Sequence, residues 1–221
     1  MLGQNPLLLE IVDKLTYKEP ARDEVIKRFK DQLPYITNKS ENGLLGRLSE
    51  ICLRVSLEDI CNDYNGRVVF DPIANKAEVD HYLFKKNGLG MIIFDKNSET
   101  YLTDIDELIL VDQIPALFEI KLARYKSRGR GKRSKGSPGC LGITHVIRNK
   151  DKILQIIEPI KRLFNSDSCG YVLVISADQI KPDSPLQKDF RDSGGLLVPF
   201  YTNKDNFYRE YLLDKSWLRE Y

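Results

Sequence analysis

Residues 170–177, GYVLVISA, run without a single charge and are apolar on both faces. A strand of that kind is stable only when both faces are covered, the situation of a central strand in a parallel sheet. Parallel neighbours need crossover connections, usually helical, so this run pulls the chain toward an α/β fold. The flanking segments agree. RNKDKILQIIEPIKRLF (148–164) sets Ile153, Ile156, Ile157, Ile160 and Phe164 on one helical side, with Pro159 expected to kink or split the helix. SPLQKDFRDSGG (184–195) reads as a short helix capped by Ser184, with Pro185 at its first position and Gly194-Gly195 as its stop. LLVPFYT follows as a strand, and KDNFYREYLL as a closing helix.

Upstream, residues 5–16 and 20–33 read as two helices, the second with Val25, Ile26, Phe29 and Leu33 at helical spacing. ENGLLGRLSEICLRVSLEDICNDY lines up Leu44, Leu48, Ile51, Cys52 and Val55 as a core-facing stripe that ends near Asn65-Gly66. Five candidate strands follow: GRVVFDP, EVDHYLF, LGMIIFD, DIDELILV and ALFEIKLA, with a hairpin turn at Lys86-Asn87-Gly88 and a break at DQIP. The expectation is an α/β fold, a mixed β-sheet flanked by helices over residues 41–221, preceded by an N-terminal helical extension over residues 1–40. With 42% hydrophobic and 30% charged residues, the 221-residue chain can bury a core and is too apolar for disorder.

Composition also narrows the chemistry. Cys52, Cys61, Cys140 and Cys169 are widely spaced, without a C-x-x-C pair, and His81 and His145 are the only histidines. A zinc cluster or a histidine-based triad therefore has little material, and buried thiols in a reducing cytoplasm are the expectation. No stretch approaches the roughly 20 apolar residues of a membrane span, and Glu10 and Asp13 interrupt the apolar N-terminal run.

The overall charge of +2 conceals a strong asymmetry. Residues 122–150 hold nine Lys/Arg and no acid, so the rest of the chain carries −7. Within RYKSRGRGKRSKGSPG, the residues Arg124, Lys126, Arg128, Arg130, Lys132, Arg133 and Lys135 alternate with Gly and Ser. Such a segment can follow a phosphate backbone without reading bases, so nucleic acid is the expected partner.

Just before this tract, carboxylates interrupt apolar strand runs. Alternation along DIDELILV puts Asp104 and Asp106 on one face and Glu107 on the other; in LFEIKLA, Glu119 and Lys121 share a face. If the two strands pair with their polar faces on one side, Asp106, Glu119 and Lys121 surround one small space. An unpaired charge in such a run costs several kcal/mol, so it asks for a reason. Two carboxylates suit Mg²⁺ or Mn²⁺, and a lysine beside them can orient a water or hold developing negative charge.

IDELILVDQIPALFEIK resembles the signature of the PD-(D/E)XK nuclease superfamily, an acid on one strand and (D/E)-x-K on the next, carried here by Asp106, Glu119 and Lys121. The flavour is closest to Holliday junction resolvases and RecB-like nuclease domains, and GRLSE supplies the upstream Gly46 and Glu50. The resemblance implies a restriction endonuclease-like αβββαβ core and metal-dependent phosphodiester hydrolysis, with DNA ahead of RNA and endonucleolytic cutting expected. It implies catalytic Asp106, Glu119 and Lys121, and metal held by Asp106, Glu119 and the Ile120 carbonyl, with Glu50 and Asp104 in support. A homodimer, or a protein partner docked on the N-terminal helices, is compatible with it. The alternative is a non-catalytic nucleic-acid-binding or assembly module that retains the nuclease fold.

Overall fold

The computed structural model describes residues 5–36, 41–121 and 150–201. Three helices open the chain: α1 (Pro6–Tyr17), α2 (Arg22–Gln32) and α3 (Glu41–Cys61). Seven strands follow: β1 (Val68–Phe70), β2 (Lys76–Val79), β3 (Tyr82–Asn87), β4 (Gly90–Asp95), β5 (Thr100–Ile105), β6 (Glu107–Val111) and β7 (Ile114–Lys121). Helix α4 (Lys150–Leu163), strand β8 (Gly170–Ile175), helix α5 (Pro185–Asp192) and strand β9 (Leu196–Pro199) complete the described α-helices and strands, and short 3-10 turns lie at Leu33–Tyr35 and Ala177–Gln179. The chain is thus a mixed α/β protein. The basic tract and the expected C-terminal helix lie outside the described residues.

The strands form two open sheets. One is mixed, in the order β1-β6-β7-β8-β9, and the other is antiparallel, in the order β2-β3-β4-β5. In the mixed sheet β6 runs antiparallel to its neighbours β1 and β7, and β7, β8 and β9 run parallel. Every residue of β8 is buried, as its uniformly apolar sequence requires. Helix α4 carries Pro159 without ending there. Ser184 stands at the N-cap of α5 beside Pro185, but its hydroxyl makes no capping bond.

Each face of the mixed sheet has its own core. Ala116, Phe118 and Ile120 of β7 join Ile109 and Val111 of β6 against α1, α2 and α3. Leu117 and Leu108, on the opposite face, join Phe84, Ile93 and Ile105 of the second sheet, Ile156 and Ile160 of α4, and Phe190 of α5. The N-terminal helices are part of this packing. Leu7, Leu8, Ile11 and Leu15 of α1, with Val25 and Phe29 of α2, lie in the same buried cluster as α3. A twelve-residue helix is marginal alone, so this buried face is what holds α1, each large apolar side chain contributing about 1.5–3 kcal/mol. Asn5 adds a polar tie: its Oδ1 accepts from Leu7 N at 2.8 Å while its Nδ2 donates to Val111 O at 3.1 Å. Gly170 lets α1 approach, since a Cβ there would overlap Leu8.

Two strand readings need correction. EVDHYLF is a hairpin rather than one strand: Val79 pairs with Tyr82, and Asp80 takes φ 53° in the turn between them. DIDELILV is likewise two strands. The backbone bends at Asp106, so residues up to Ile105 belong to the antiparallel sheet and residues from Glu107 to the mixed one. Gly90, across from the bend, makes room for it; a Cβ there would overlap Ile105 O and stand 3.0 Å from Asp106 O.

Candidate active site where the two sheets meet

The bend puts Asp106 at the seam between the sheets. Strands β6 and β7 pair through Glu107 and Phe118, so Asp106 stands one step beyond the ladder, across from Glu119. Its carboxylate completes what the strand has stopped supplying: Asp106 Oδ2 accepts the Ile120 N–H at 2.7 Å. Alternation along β7 sends Phe118 and Ile120 toward the helices and Glu119 and Lys121 toward the second sheet. Lys121 Nζ lies 2.5 Å from Glu119 Oε1 and 3.5 Å from Asp106 Oδ2. The three residues singled out in the sequence therefore converge.

The site is desolvated yet reachable. The side chains of Asp106 and Glu119 are each 9% exposed, while that of Lys121 is 30% exposed. Burial raises the Asp106 carboxyl above its ordinary range, against the pull of Lys121 and the Ile120 N–H. Burial, followed by the charge of Asp106, raises Glu119 well above its range despite Lys121. Burial opposes the Lys121 ammonium, but Asp106 and Glu119 outweigh it, and its pKa is raised. One cation balances only one of the two acids and the other is driven toward its protonated form; Glu119 is the acid with an oxygen to spare. Its Oε2 is buried without a hydrogen-bond partner among the described residues.

Glu50 approaches from α3. Burial and then Asp106 push it up to about 7, opposed by Arg47 and Lys121, and Arg47 Nη1 donates to it at 2.6 Å. Asp104 lies on the outer side, exposed, and accepts the Tyr101 hydroxyl at 2.8 Å. The charge of Asp104 acts on Glu50, Asp106, Glu119 and Lys121, so all five ionisable groups share one field. Arg124, Lys126, Arg128, Arg130, Lys132, Arg133 and Lys135 lie outside the described residues. A second acid-x-acid pair in a strand-like run, Glu78 and Asp80, is held in ion pairs away from these groups, Glu78 with Lys96 and Asp80 with Arg162.

Two groups near the site escaped the sequence. Tyr171 on β8 buries its hydroxyl without a partner among the described residues and packs edge-on against Phe190, with ring centroids 5.5 Å apart. Its burial, then the charges of Glu119 and Asp106, raise its pKa well above the phenol's usual value. Glu107 points the other way, toward α3, where Arg54 Nη1 meets its Oε1 at 2.7 Å. Arg54 also binds Glu58 and Asp71, at 2.5 and 2.9 Å, and stacks over Phe70 at 4.4 Å. The charges inside DIDELILV thus have two separate reasons, a site on one face and a buried structural network on the other. Distance along the chain hid the second: Arg54 is 53 residues from Glu107.

Among the described residues, no group of three or more His, Cys, Asp or Glu side chains forms a ready metal cage. Cys52, Cys61 and Cys169 are buried and form no disulfide. No described helix is long and apolar enough to cross a membrane. Set against known proteins, the chain matches no family model, no curated protein and no solved structure.

Proposed function

We propose that this protein is a divalent-metal-dependent nuclease that hydrolyses phosphodiester bonds, with DNA as substrate, on a restriction endonuclease-like fold. The observation that carries the reading is the convergence of Asp106, Glu119 and Lys121, two desolvated carboxylates and an ammonium drawn from adjoining strands. Leaving the antiparallel sheet aside, the elements run α3, β1, β6, β7, α4, β8. That is the helix, three strands, helix, strand order that the resemblance implies. Buried cysteines outside any disulfide, Cys52, Cys61 and Cys169, accord with a reducing, cytoplasmic setting.

The residues present fit Mg²⁺ or Mn²⁺. Glu119 Oε2 is a buried acceptor without a donor, and a hard cation of this kind needs only one or two carboxylates besides water and phosphate oxygens. Asp106, Glu119 and the Ile120 carbonyl would hold the ion, with Glu50 and Asp104 deepening the negative field. Bound there, it would supply a Lewis acid that acidifies water and offsets charge on the phosphate. Lys121, fixed by both carboxylates, is placed to orient the attacking water and to meet negative charge as it develops. Asp106 in turn is fixed by the Ile120 N–H. The basic tract begins three residues after Lys121, close enough in the chain to hold the backbone of the strand being cut.

A second reading, nucleic-acid binding without cleavage, draws on the fact that Lys121 already pairs with both acids. Metal-dependent cleavage of supercoiled, linear, single-stranded and branched substrates separates the two. Cutting that needs Mg²⁺ or Mn²⁺ and is lost in Lys121→Ala supports the nuclease. Salt-sensitive binding with no cutting under any metal supports the alternative.

A further inference from the structure

Strand β5, which leads into Asp106, breaks its own alternation. Strict alternation would put Tyr101, Thr103 and Ile105 on one face and Leu102, Asp104 and Asp106 on the other. The ladder to β4 pairs Met91 with Ile105, Ile92 with Asp104, Ile93 with Thr103, and then Phe94 with Tyr101. Leu102 is therefore the extra residue of a β-bulge. From there on the strand is out of phase: Leu102 packs into the core beneath, and Tyr101 emerges on the Asp104 side. Bulges of this kind re-aim a side chain and are common beside active sites.

The tyrosine so turned is half exposed, at 52%, although a large aromatic ring would gain from the core. It is also held firmly. Its hydroxyl donates to Asp104 Oδ1 at 2.8 Å, and its ring stands edge-on to Phe94 with centroids 6.3 Å apart. Strand β5 touches β7, and the hydroxyl lies within the fields of Glu119 and Lys121. An anchored ring with an open face, bordering carboxylates proposed to act on a phosphodiester, suits one kind of group, an unstacked nucleobase.

We infer that Tyr101, turned outward by the bulge at Leu102 and anchored by Asp104, is a stacking platform for an unpaired base next to the cleaved phosphate. The inference rests on the nuclease reading and sharpens its substrate class to single-stranded, frayed or branched nucleic acid. A base inside a continuous duplex has its faces occupied by neighbours and cannot use the platform; a splayed base can, at ~1–3 kcal/mol per stack.

The test uses the full chain in EDTA, with fluorescence anisotropy of a labelled single-stranded DNA oligonucleotide and of the matching duplex. In Tyr101→Ala, the ratio of single-strand to duplex affinity is expected to fall between about 5- and 150-fold, the range that stacking energy translates to. Tyr101→Phe keeps the ring and most of the ratio. A 2-aminopurine in the single strand, quenched by wild type and by Tyr101→Phe but not by Tyr101→Ala, supports direct stacking. An unchanged ratio in Tyr101→Ala overturns the inference, and so does an equal loss on both probes. If wild type cuts with metal while the ratio is unchanged, the platform fails and the nuclease stands. If binding depends on Tyr101 but no metal ever gives cutting, the nuclease fails and the platform stands.

Discussion

Gly90 and Ile105 lie so close that a Cβ on the glycine would overlap the Ile105 carbonyl oxygen. This approach lets the backbone turn at Asp106 and pass from one sheet to the other. Gly90→Ala is expected to push the bend away from β4, at about 1–3 kcal/mol of stability by the general cost of overpacking. Because Asp106 moves with the bend, metal-dependent cleavage should fall more than the lost stability accounts for. Urea denaturation and cleavage, measured together at a temperature where the variant is fully folded, check both parts. Wild-type stability and rate would show that the contact is slack.

Arg54, braced by Glu58 on its own helix, holds the helix layer to the sheet through Glu107 of β6 and Asp71 just after β1. Removing it leaves Glu107, 2% exposed, without its cation. Arg54→Ala is expected to cost about 3–5 kcal/mol, whereas the double variant Arg54→Met/Glu107→Leu, which removes the charges together, should recover most of that loss. Chemical denaturation of the three proteins gives the coupling. An Arg54→Ala loss under about 1 kcal/mol would mean the network carries little.

The same network makes stability pH-dependent. Burial outweighs Arg54, whose charge is shared with Glu58 and Asp71, and pushes Glu107 up to about 7. The folded state therefore keeps a proton that the unfolded chain, with an ordinary glutamate, has already lost. Its contribution is full below about pH 4.3, the usual glutamate value, and fades as pH rises through 7. Glu107→Gln, always neutral, should escape this fading. Melting temperatures from pH 5 to 8 are expected to improve steadily in the variant relative to wild type. A constant difference across that range would show that Glu107 is ionised in the fold throughout.

Metal binding should report on Glu119 and Asp106 without any substrate. Mn²⁺ or Mg²⁺ at a hundred times its dissociation constant is expected to stabilise wild type by about 2.7 kcal/mol. Asp106→Asn and Glu119→Gln should lose most of this effect. Glu119→Gln alone, free of a costly buried charge, should melt at or above the wild-type temperature in EDTA. A calorimetric or fluorescence melt with and without metal measures both, and equal metal shifts in all three proteins would remove these carboxylates from the site.

Much of the fold was legible because burial leaves a pattern in the chain. The apolar run of β8, the stripe on α3 and the turn at Asp112-Gln113 between β6 and β7 are all local signals. Less legible was the split of DIDELILV at Asp106. The apolar run carries no Gly or Pro there, and the residue that permits the bend, Gly90, lies on another strand. The bulge at Leu102 was hidden likewise, since a register shift is a property of the pair β4–β5 rather than of either sequence. Asp106, Glu119 and Lys121 stood out because charges in apolar strands are costly. Glu107 looked the same in sequence, and only Arg54 beside it explains why it belongs to the frame instead.

The most direct measurement is single-turnover cleavage of labelled DNA by the full chain with Mg²⁺ or Mn²⁺, compared with Asp106→Asn, Glu119→Gln and Lys121→Ala, each shown to be folded by circular dichroism. The account expects cutting by wild type that stops in EDTA and falls at least about 100-fold in each variant, as loss of a principal electrostatic group does. Undiminished cutting by any of the three folded variants, or no cutting by wild type with either metal, would contradict it.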